Sequence, residues 1–363
     1  MNILIYLGHP AQYHFIKHTA RNLIADGHSV KLLIKTKDVL EDLLKEDGWE
    51  YENIQKKFRK NSKLSILTAS LNRTYRVLRI ALSFHADILV GTDSSIAQAA
   101  WLLRKPSITT LEDDIDVIRN LARLTFPFTT SIVVPDVCRV GKWERKKVPY
   151  AGYMKLAYLH PRYFTPDPSV PEKYGLSGKY ILVRLAKLAA HHDDGIKGLN
   201  TDLVNRVIDI AAKEGYKTYI SSEVALNAEL EAHRLQIHYN DIHHLLAFSS
   251  LLISDSQSMS VEAAMLGTPS LRFSDFVGRI SVLEELEFKY GLTYGIRTSD
   301  HTLLFDKMAE ILAMPDVRQE FQSRRQKMLS EKIDVTAFLT GLIENYPDNP
   351  CSSTPLNSQS SCR

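Results

Sequence analysis

Asp255-Ser256-Gln257-Ser258, followed by Glu262, stands between two short apolar runs, Leu251-Leu252-Ile253 and Ser270 to Phe273. Serine and aspartate ahead of a helical pattern are N-cap residues. The pattern itself carries Met259, Ala263 and Leu266 on one face and stops at Gly267-Thr268-Pro269, the expected glycine-then-proline ending. A helix that begins where a buried strand ends turns unpaired N–H groups and the positive end of its dipole outward, which suits an anion. Glu262, about one turn inside, is spaced to hold the two hydroxyls of a ribose while phosphates sit at the helix start. The same spacing also fits a carboxylate that merely complements the dipole above serines that only cap.

A second concentration lies in the first half. Gly91-Thr92-Asp93-Ser94-Ser95 and Leu111-Glu112-Asp113-Asp114 follow consecutive apolar runs, so Asp93 and Glu112 fall at successive strand ends. Two carboxylates in one crevice drive each other's pKa values apart, which suits paired acid and base work. A helix-capping Asp93 and a solvated acidic run are the alternative; Asp93 and Glu112 are joint candidates, and Asp114 is not. Gly8-His9-Pro10 ends the first apolar run. Gly8 lets the backbone pass close to a ligand, and His9 suits a general base or a sugar contact, or an ordinary cap. His14 and His18 follow at helical spacing and read as surface or capping residues. Arg279, in Phe276-Val277-Gly278-Arg279, puts a guanidinium on a glycine loop suited to phosphate or sugar. In His191-His192-Asp193-Asp194 adjacent side chains diverge and no second set of ligands accompanies them, so no metal site is expected.

Apolar runs alternating with helical patterns must position these groups. Ile3 to Leu7, a helix from about Gln12 to Asp26 and Val30 to Ile34 form a βαβ opening without the GxGxxG fingerprint. Strands at Asp87 to Val90, Pro106 to Thr110 and Ile132 to Pro135 continue this half, the last closing its sheet, and Val148 to Lys155 reads as a small loop. Tyr180 to Arg184 starts a second sheet, continued by Lys217 to Ser221 and the two runs around the Ser256 stretch. Helical pattern covers Thr201 to Glu214, Asp241 to Phe248, Ser281 to Glu287, Thr302 to Met314 and Val317 to Glu344, with a short strand beginning at Tyr290. The expected fold class is α/β, two Rossmann-like domains with parallel sheets facing a central cleft. The boundaries read as 1–160, a proline-bearing linker 161–178, a second domain 179–346, and a Ser/Asn/Pro-rich disordered tail 347–363.

Composition agrees. A chain of 363 residues suits two domains, 44% apolar residues suffice for two cores, and a net charge of +3 gives no argument for nucleic acid. Cys138, Cys351 and Cys362 lack the spacing of a metal site or disulfide framework. Neither a signal-peptide pattern nor a membrane-spanning run is visible, so a cytoplasmic location is expected. Asn53 to Ala86 carries eight Lys and Arg residues and no acidic one. Interleaved with Leu64, Ile66, Leu67, Leu71, Val77, Leu78 and Ile80, this reads partly as an amphipathic basic helix. Peripheral contact with an anionic membrane face through 56–80, an anionic acceptor, or a solvated helix packed on its sheet all fit.

The segments GHPAQYHF, ISDSQSMSVEAAMLGTPSLRF and FVGRISVLEELEFKYGL resemble the DUF354 family of GT-B-like proteins, over nearly the whole chain apart from the tail. Their order is also similar to that of the non-hydrolysing UDP-N-acetylglucosamine 2-epimerases. The resemblance implies a GT-B architecture and a nucleotide sugar, most simply UDP-linked, with no cofactor and no fixed metal. It places Gly91-Thr92-Asp93 near an epimerase Gly-Asp-Thr segment with a catalytic aspartate, in altered order. Glu112 falls where those enzymes carry a catalytic glutamate, with different flanking residues. Ser256, Gln257, Ser258 and Glu262 fall on their nucleotide-holding segment, without its double glycine. Their Gly-His-Arg-Arg segment has only Lys187 and His191 as nearest candidates here, which weighs against epimerase chemistry more than against nucleotide-sugar binding. The expected activity is glycosyl transfer to a saccharide or lipid-linked acceptor of the cell envelope or a surface polysaccharide, with His9 or Asp93 as base. Epimerisation at the sugar's C2 by Asp93 and Glu112 is the alternative, and a non-catalytic sugar-nucleotide-binding subunit the third reading.

Overall fold

Parallel strands covered on both faces must be apolar throughout, and the runs that satisfy this form two sheets in a computed structural model. It describes residues 1–55, 63–185, 198–222 and 225–346, with the backbone alone over 63–67. Two compact units result, one of Met1–Tyr158 together with the segment from Lys332, the other of Leu159–Glu331.

In the first unit the strands are β1 (Asn2–Leu7), β2 (Ser29–Lys35), β3 (Tyr51–Gln55), β4 (Ile88–Gly91), β5 (Ser107–Thr110), β6 (Ser131–Pro135) and β7 (Lys147–Tyr150). Helices α1 (Pro10–Ala25), α2 (Leu40–Glu46), α3 (Lys63–Ser83), α4 (Ser94–Leu103) and α5 (Arg119–Thr125) connect them, and α6 (Leu156–Leu159) ends the run. The order across the sheet is β3-β2-β1-β4-β5-β6-β7, every pairing parallel. The chain builds outward from β1 through β2 and β3, then returns to β4 on the other side of β1. Strands β1 and β4 therefore flank a topological switch point, where helices leave on opposite faces and a crevice opens at the strand ends. Gly8, His9 and Asp93 follow these two strands.

The second unit contains α7 (Ser169–Lys173), β8 (Tyr180–Leu185), α8 (Thr201–Lys213), β9 (Lys217–Ser222), α9 (Ala228–Glu231), α10 (Ile242–Phe248) and β10 (Leu251–Ser254). After these come α11 (Gln257–Leu266), β11 (Ser270–Phe273), α12 (Ser281–Phe288), β12 (Thr293–Ile296), α13 (His301–Leu312) and α14 (Val317–Glu331). Its sheet has the order β12-β11-β10-β8-β9, again parallel throughout. The switch point lies between β8 and β10, so the Ser256 stretch opens at the place where open α/β sheets bind ligands. Helix α11 is buried on nearly all sides, packed by β10, β11, α10, α12 and α14, rather than on the single face its pattern suggests. Ala263 and Ala264 are fully buried and leave room for that close packing.

Several boundaries differ from those the sequence suggests. Ile132 to Pro135 does not close the first sheet: β7, Lys147–Tyr150, lies beyond it and takes in the start of the Val148 to Lys155 stretch that reads as a loop. Pro149 hides that strand from a propensity reading, and proline is tolerated there because β7 is an edge. The stretch 161–178 is folded onto the second unit rather than bridging freely. Pro171 and Leu176 are buried, and Lys173 Nζ and Tyr174 Oη each donate to Asp241 at 2.7 Å. Tyr290 ends a turn after α12, and the strand starts only at Thr293. The long helical pattern over Val317 to Glu344 is two helices, because Asp334 caps α15 (Val335–Glu344) by accepting from Ala337 N–H at 3.0 Å. Helix α15 belongs to the first unit, not to the second as 179–346 implies, and it packs on α1. The tail 347–363 lies outside the described residues.

Gly267 ends α11 with φ of +70°, and a Cβ there would meet the Gln322 amide at 2.5 Å. Gly267→Ala therefore combines left-handed strain with displacement of Gln322, and we expect a loss of about 1–3 kcal/mol. Urea unfolding of the two proteins checks this; equal midpoints would remove Gly267 as the fixed end of α11.

Candidate functional site

In the second unit the switch point is assembled from β10, α11 and β11. Ser256 caps α11, its Oγ accepting from Met259 N–H at 3.4 Å, while its own N–H donates to Ser254 Oγ at 2.8 Å. The N–H groups of Gln257 and Ser258 fall in the first turn, where no intrahelical acceptor exists. They are the groups available to an anion. The Gln257 side chain is used otherwise. Its Oε1 accepts from Arg272 Nη1 at 2.9 Å and its Nε2 donates to Ser274 Oγ at 2.8 Å, so Gln257 offers its backbone rather than its amide.

Arg272, inside the apolar strand Ser270–Phe273, is fully buried, and it is not among the candidates that local motifs suggest. Glu284 and Glu287 lie 3.8 and 3.7 Å from Nη2, and its Nε and Nη2 make no hydrogen bond among the described residues. Burial pulls the Arg272 pKa down against those two carboxylates and pushes Glu287 up. Gly295 makes the space: a Cβ there would stand 2.7 Å from Nη2. A charged residue in a run otherwise read as apolar was the available signal.

Glu262 is nearly buried, with Oε2 at 3.6 Å from His243 Nε2 on α10, and Phe164 stands edge-on to the His243 ring. His243 was not singled out by the sequence. Arg279 is exposed and lies over the Phe276 ring, and the neighbouring Gly278 N–H donates to Glu284 Oε1 at 3.0 Å. Arg279 and Arg272 thus border the same loop. Lys187 and His191 lie outside the described residues.

In the first unit Asp93 caps α4. Its Oδ1 accepts from Ser95 N–H at 2.9 Å and Ser95 Oγ at 2.5 Å, and its Oδ2 lies 3.5 Å from Arg73 Nη2. Arg73 comes from the basic helix α3 and turns inward, also donating to Ser95 Oγ and Gln55 Oε1. The Tyr6 hydroxyl, buried nearby without a hydrogen-bond partner among the described residues, has its pKa pushed up by burial and then by Asp93. Thr92 Oγ1 donates to the Thr110 carbonyl at 2.8 Å and ties the end of β4 to that of β5, so Asp93 and Glu112 leave neighbouring strands.

Glu112 is held differently. Oε2 accepts from Lys155 Nζ at 2.7 Å and Oε1 from Met154 N–H at 2.6 Å, with both side chains largely buried. Lys155 belongs to the stretch whose pattern suggests a loop, and only the fold returns 154–155 to the end of β5. Asp114 is fully buried and accepts from Arg139 N–H and Nε, a structural role.

His9 is the N-cap of α1, its Nδ1 accepting from Ala11 N–H at 3.2 Å. A neutral ring in this arrangement carries its proton on Nε2, which lies 4.0 Å from Asp38 and so faces outward as a donor. Lost hydration holds its pKa below the ordinary histidine value, with Lys37, Lys155 and Lys35 acting in the same sense and Asp38 against. Gly8 N–H donates to Gln12 Oε1 at 2.7 Å, and a Cβ there would stand 3.2 Å from the Lys35 side chain. The close neighbour that Gly8 permits is therefore Lys35. His14 lies against the Tyr158 ring, and burial with Lys17 and Arg21 holds His18 at about 4. Among the described residues no group of three His, Cys, Asp or Glu side chains is arranged to hold a metal ion.

No family model matches the chain, and no curated protein does. Solved structures do. UDP-GlcNAc 2-epimerase from Neisseria meningitidis bound to UDP-GlcNAc has a TM-score of 0.68 at 13% identity, over 95% of this chain and 100% of that one. S. aureus MnaA in its UDP co-structure gives a TM-score of 0.68 at 12% identity, over 96% and 97%. Glycosyltransferase VinC in complex with dTDP gives 0.61 at 13% identity, over 95% and 99%. At such identities the likeness establishes the fold: two parallel-sheet α/β units of the GT-B class.

Two outcomes follow from this geometry. A cation disfavours a nearby imidazolium, so removing one in Lys35→Met should raise the His9 midpoint, which in the unaltered protein lies below the ordinary value. An NMR titration of the ring measures both, and a midpoint unmoved or lowered by the substitution contradicts the lysine field. Lys155→Met should cost roughly 3–5 kcal/mol by leaving Glu112 buried without its cation. The double variant with Glu112→Gln should recover part of that loss in denaturant unfolding; no recovery would mean that Lys155 acts without Glu112.

Proposed function

We propose that the protein is a nucleotide-sugar-dependent glycosyltransferase, with a UDP-linked donor held by the second unit at the start of α11. The observation that carries this reading is the partly exposed first turn of α11, Ser256 to Ser258, at the switch point beside β8, with Arg279 on the adjoining loop. N–H groups without a partner among the described residues, together with a guanidinium, would offset a diphosphate's charge and stabilise the further charge that develops as it departs. Glu262, oriented by His243, would accept hydrogen bonds from the ribose hydroxyls. Arg272 acts as a positioning residue, fixing Gln257 so that its N–H keeps its direction. This scheme assigns diphosphate stabilisation to protein groups and requires no fixed metal. The UDP, UDP-GlcNAc and dTDP complexes of similarly folded proteins support a nucleotide-sugar ligand in kind.

The strand ends of the first unit, with Gly8, His9, Asp93 and Glu112, are proposed as the acceptor side. Acceptors of the cell envelope or surface polysaccharides, reached at the inner membrane face, fit this reading, as does membership of the DUF354 family on the quoted motifs. Asp93 or His9 would serve as base only after giving up its present cap. Epimerisation at C2 by Asp93 and Glu112 is the second reading, favoured by the epimerases among the fold neighbours. The bonds that already occupy both oxygens of Glu112 weigh against it.

A thermal-shift screen against UDP, GDP, CDP, dTDP and their sugar conjugates tests the binding site, since a ligand of the native state raises the unfolding midpoint with its saturation. The UDP series should shift it, and Glu262→Ala should weaken that affinity by about tenfold or more, the loss of a charged hydrogen-bond partner. Silence across the whole panel would leave α11 as a capped structural helix. Turnover that requires an acceptor then separates transferase from epimerase.

A further inference from the structure

We propose that the outer face of α3, α4 and α5 in the first unit docks on an anionic lipid bilayer. These helices contain no aspartate or glutamate at any position, although acidic residues are about as common as basic ones in the chain as a whole. They form one layer, α4 packing against both α3 and α5. Gln98 ties the layer together: its Oε1 accepts from Thr74 Oγ1 on α3 at 3.0 Å, and its Nε2 donates to the Leu124 carbonyl on α5 at 3.0 Å.

Around that link stand large apolar side chains facing solvent. Leu71, Tyr75 and Leu82 share a stripe of α3 at helical spacing, Trp101 and Leu102 follow Gln98 by three and four residues on α4, and Leu124 lies on α5. All six are 54–60% exposed, a concentration unusual for a surface with no partner. Exposed Arg76, Arg79, Arg104 and Arg123 stand among them. At the margin, a hollow of about 630 Å³ lies between β3 and α3, with Arg76 and Arg79 on its helical wall. Its one carboxylate, Glu52, is paired with Lys31 at 3.2 Å.

Aliphatic side chains beside tryptophan and tyrosine, fringed by arginine on helices that carry no acid, match the boundary between headgroups and acyl chains. The nearby Asp87 and Asp116 are paired with Lys105 and Arg119. Basic residues supply attraction to anionic lipid, and the apolar groups supply shallow insertion. Of the basic stretch 56–80, residues 56–62 lie outside the described residues; the surface runs from α3 onto α4 and α5, and Arg73 turns inward rather than outward. The proposal is independent of the nucleotide site, because the assay below contains no nucleotide.

Co-sedimentation of the full chain with vesicles of phosphatidylcholine alone, and of phosphatidylcholine containing phosphatidylglycerol, is the test. Binding should require phosphatidylglycerol, weaken in high salt, and fall by roughly tenfold in the double variant Arg79→Glu, Arg123→Glu. Leu102→Asp with Leu124→Asp should lose binding as well, with circular dichroism and the unfolding midpoint unchanged as a check on folding. A blue shift of tryptophan fluorescence on the anionic vesicles should disappear in Trp101→Phe. No sedimentation with either vesicle, or equal sedimentation by the variants, overturns the proposal. So does self-association in sedimentation velocity that these variants abolish without any vesicle binding, which would assign the face to a second copy of the chain.

Discussion

Parallel strand pairing is the constraint on which the rest of this structure depends. When every strand of a sheet runs the same way, each must be followed by a crossover, and all strand-to-helix turns collect at one edge. In both units the residues between strand end and helix start, or in the first helical turn, are those with chemistry to offer: His9, Asp93 and Glu112 in the first, Ser256 to Ser258 in the second. The switch points then single out two of these edges, because only there do successive helices leave on opposite faces and keep the turns uncovered. The position of the candidate site is thus a consequence of strand order, before any side chain is considered.

The polar groups that this arrangement buries are offset locally. Arg272 is enclosed among Gln257, Glu284 and Glu287, where Gly295 leaves the guanidinium room. Lys155 and Glu112 neutralise each other while Met154 N–H takes the remaining carboxylate oxygen. Arg73 does the same for Asp93. A buried ion pair adds little net stability but is costly to break, so these pairs fix geometry at the strand ends more than they hold the fold. They also make two of the most prominent carboxylates part of the scaffold as it stands.

Much of the fold was legible because apolar runs and caps are local signals. β1, β10, β11, α8 and α11 lie within a residue or two of where pattern placed them, and Gly267 ends α11 in the expected left-handed conformation. Elements without such signals were missed. β7 is an edge strand that carries a proline, and Asp334 splits a continuous helical pattern with one cap. The candidate site was legible in part: serines ahead of a helical pattern mark the capped helix start at Ser256 wherever the helix sits. His243 beside Glu262 and Lys155 beside Glu112 were not, since those partners are separated by 19 and 43 residues and only chain return brings them together.

What the sequence by itself determined is the alternation of strand and helix, the division into two βα halves, and the helix starts at Asp93 and Ser256, all set by nearest-neighbour patterns. Tertiary structure alone decided strand order and hence the switch points, the return of α15 to the first unit, and the burial of Arg272. It also decided that Asp93 and Glu112 are bound to Arg73 and Lys155 and that Gln257 faces inward. These depend on groups distant in the chain competing for the same buried space, and a linear pattern holds no record of which of them meet.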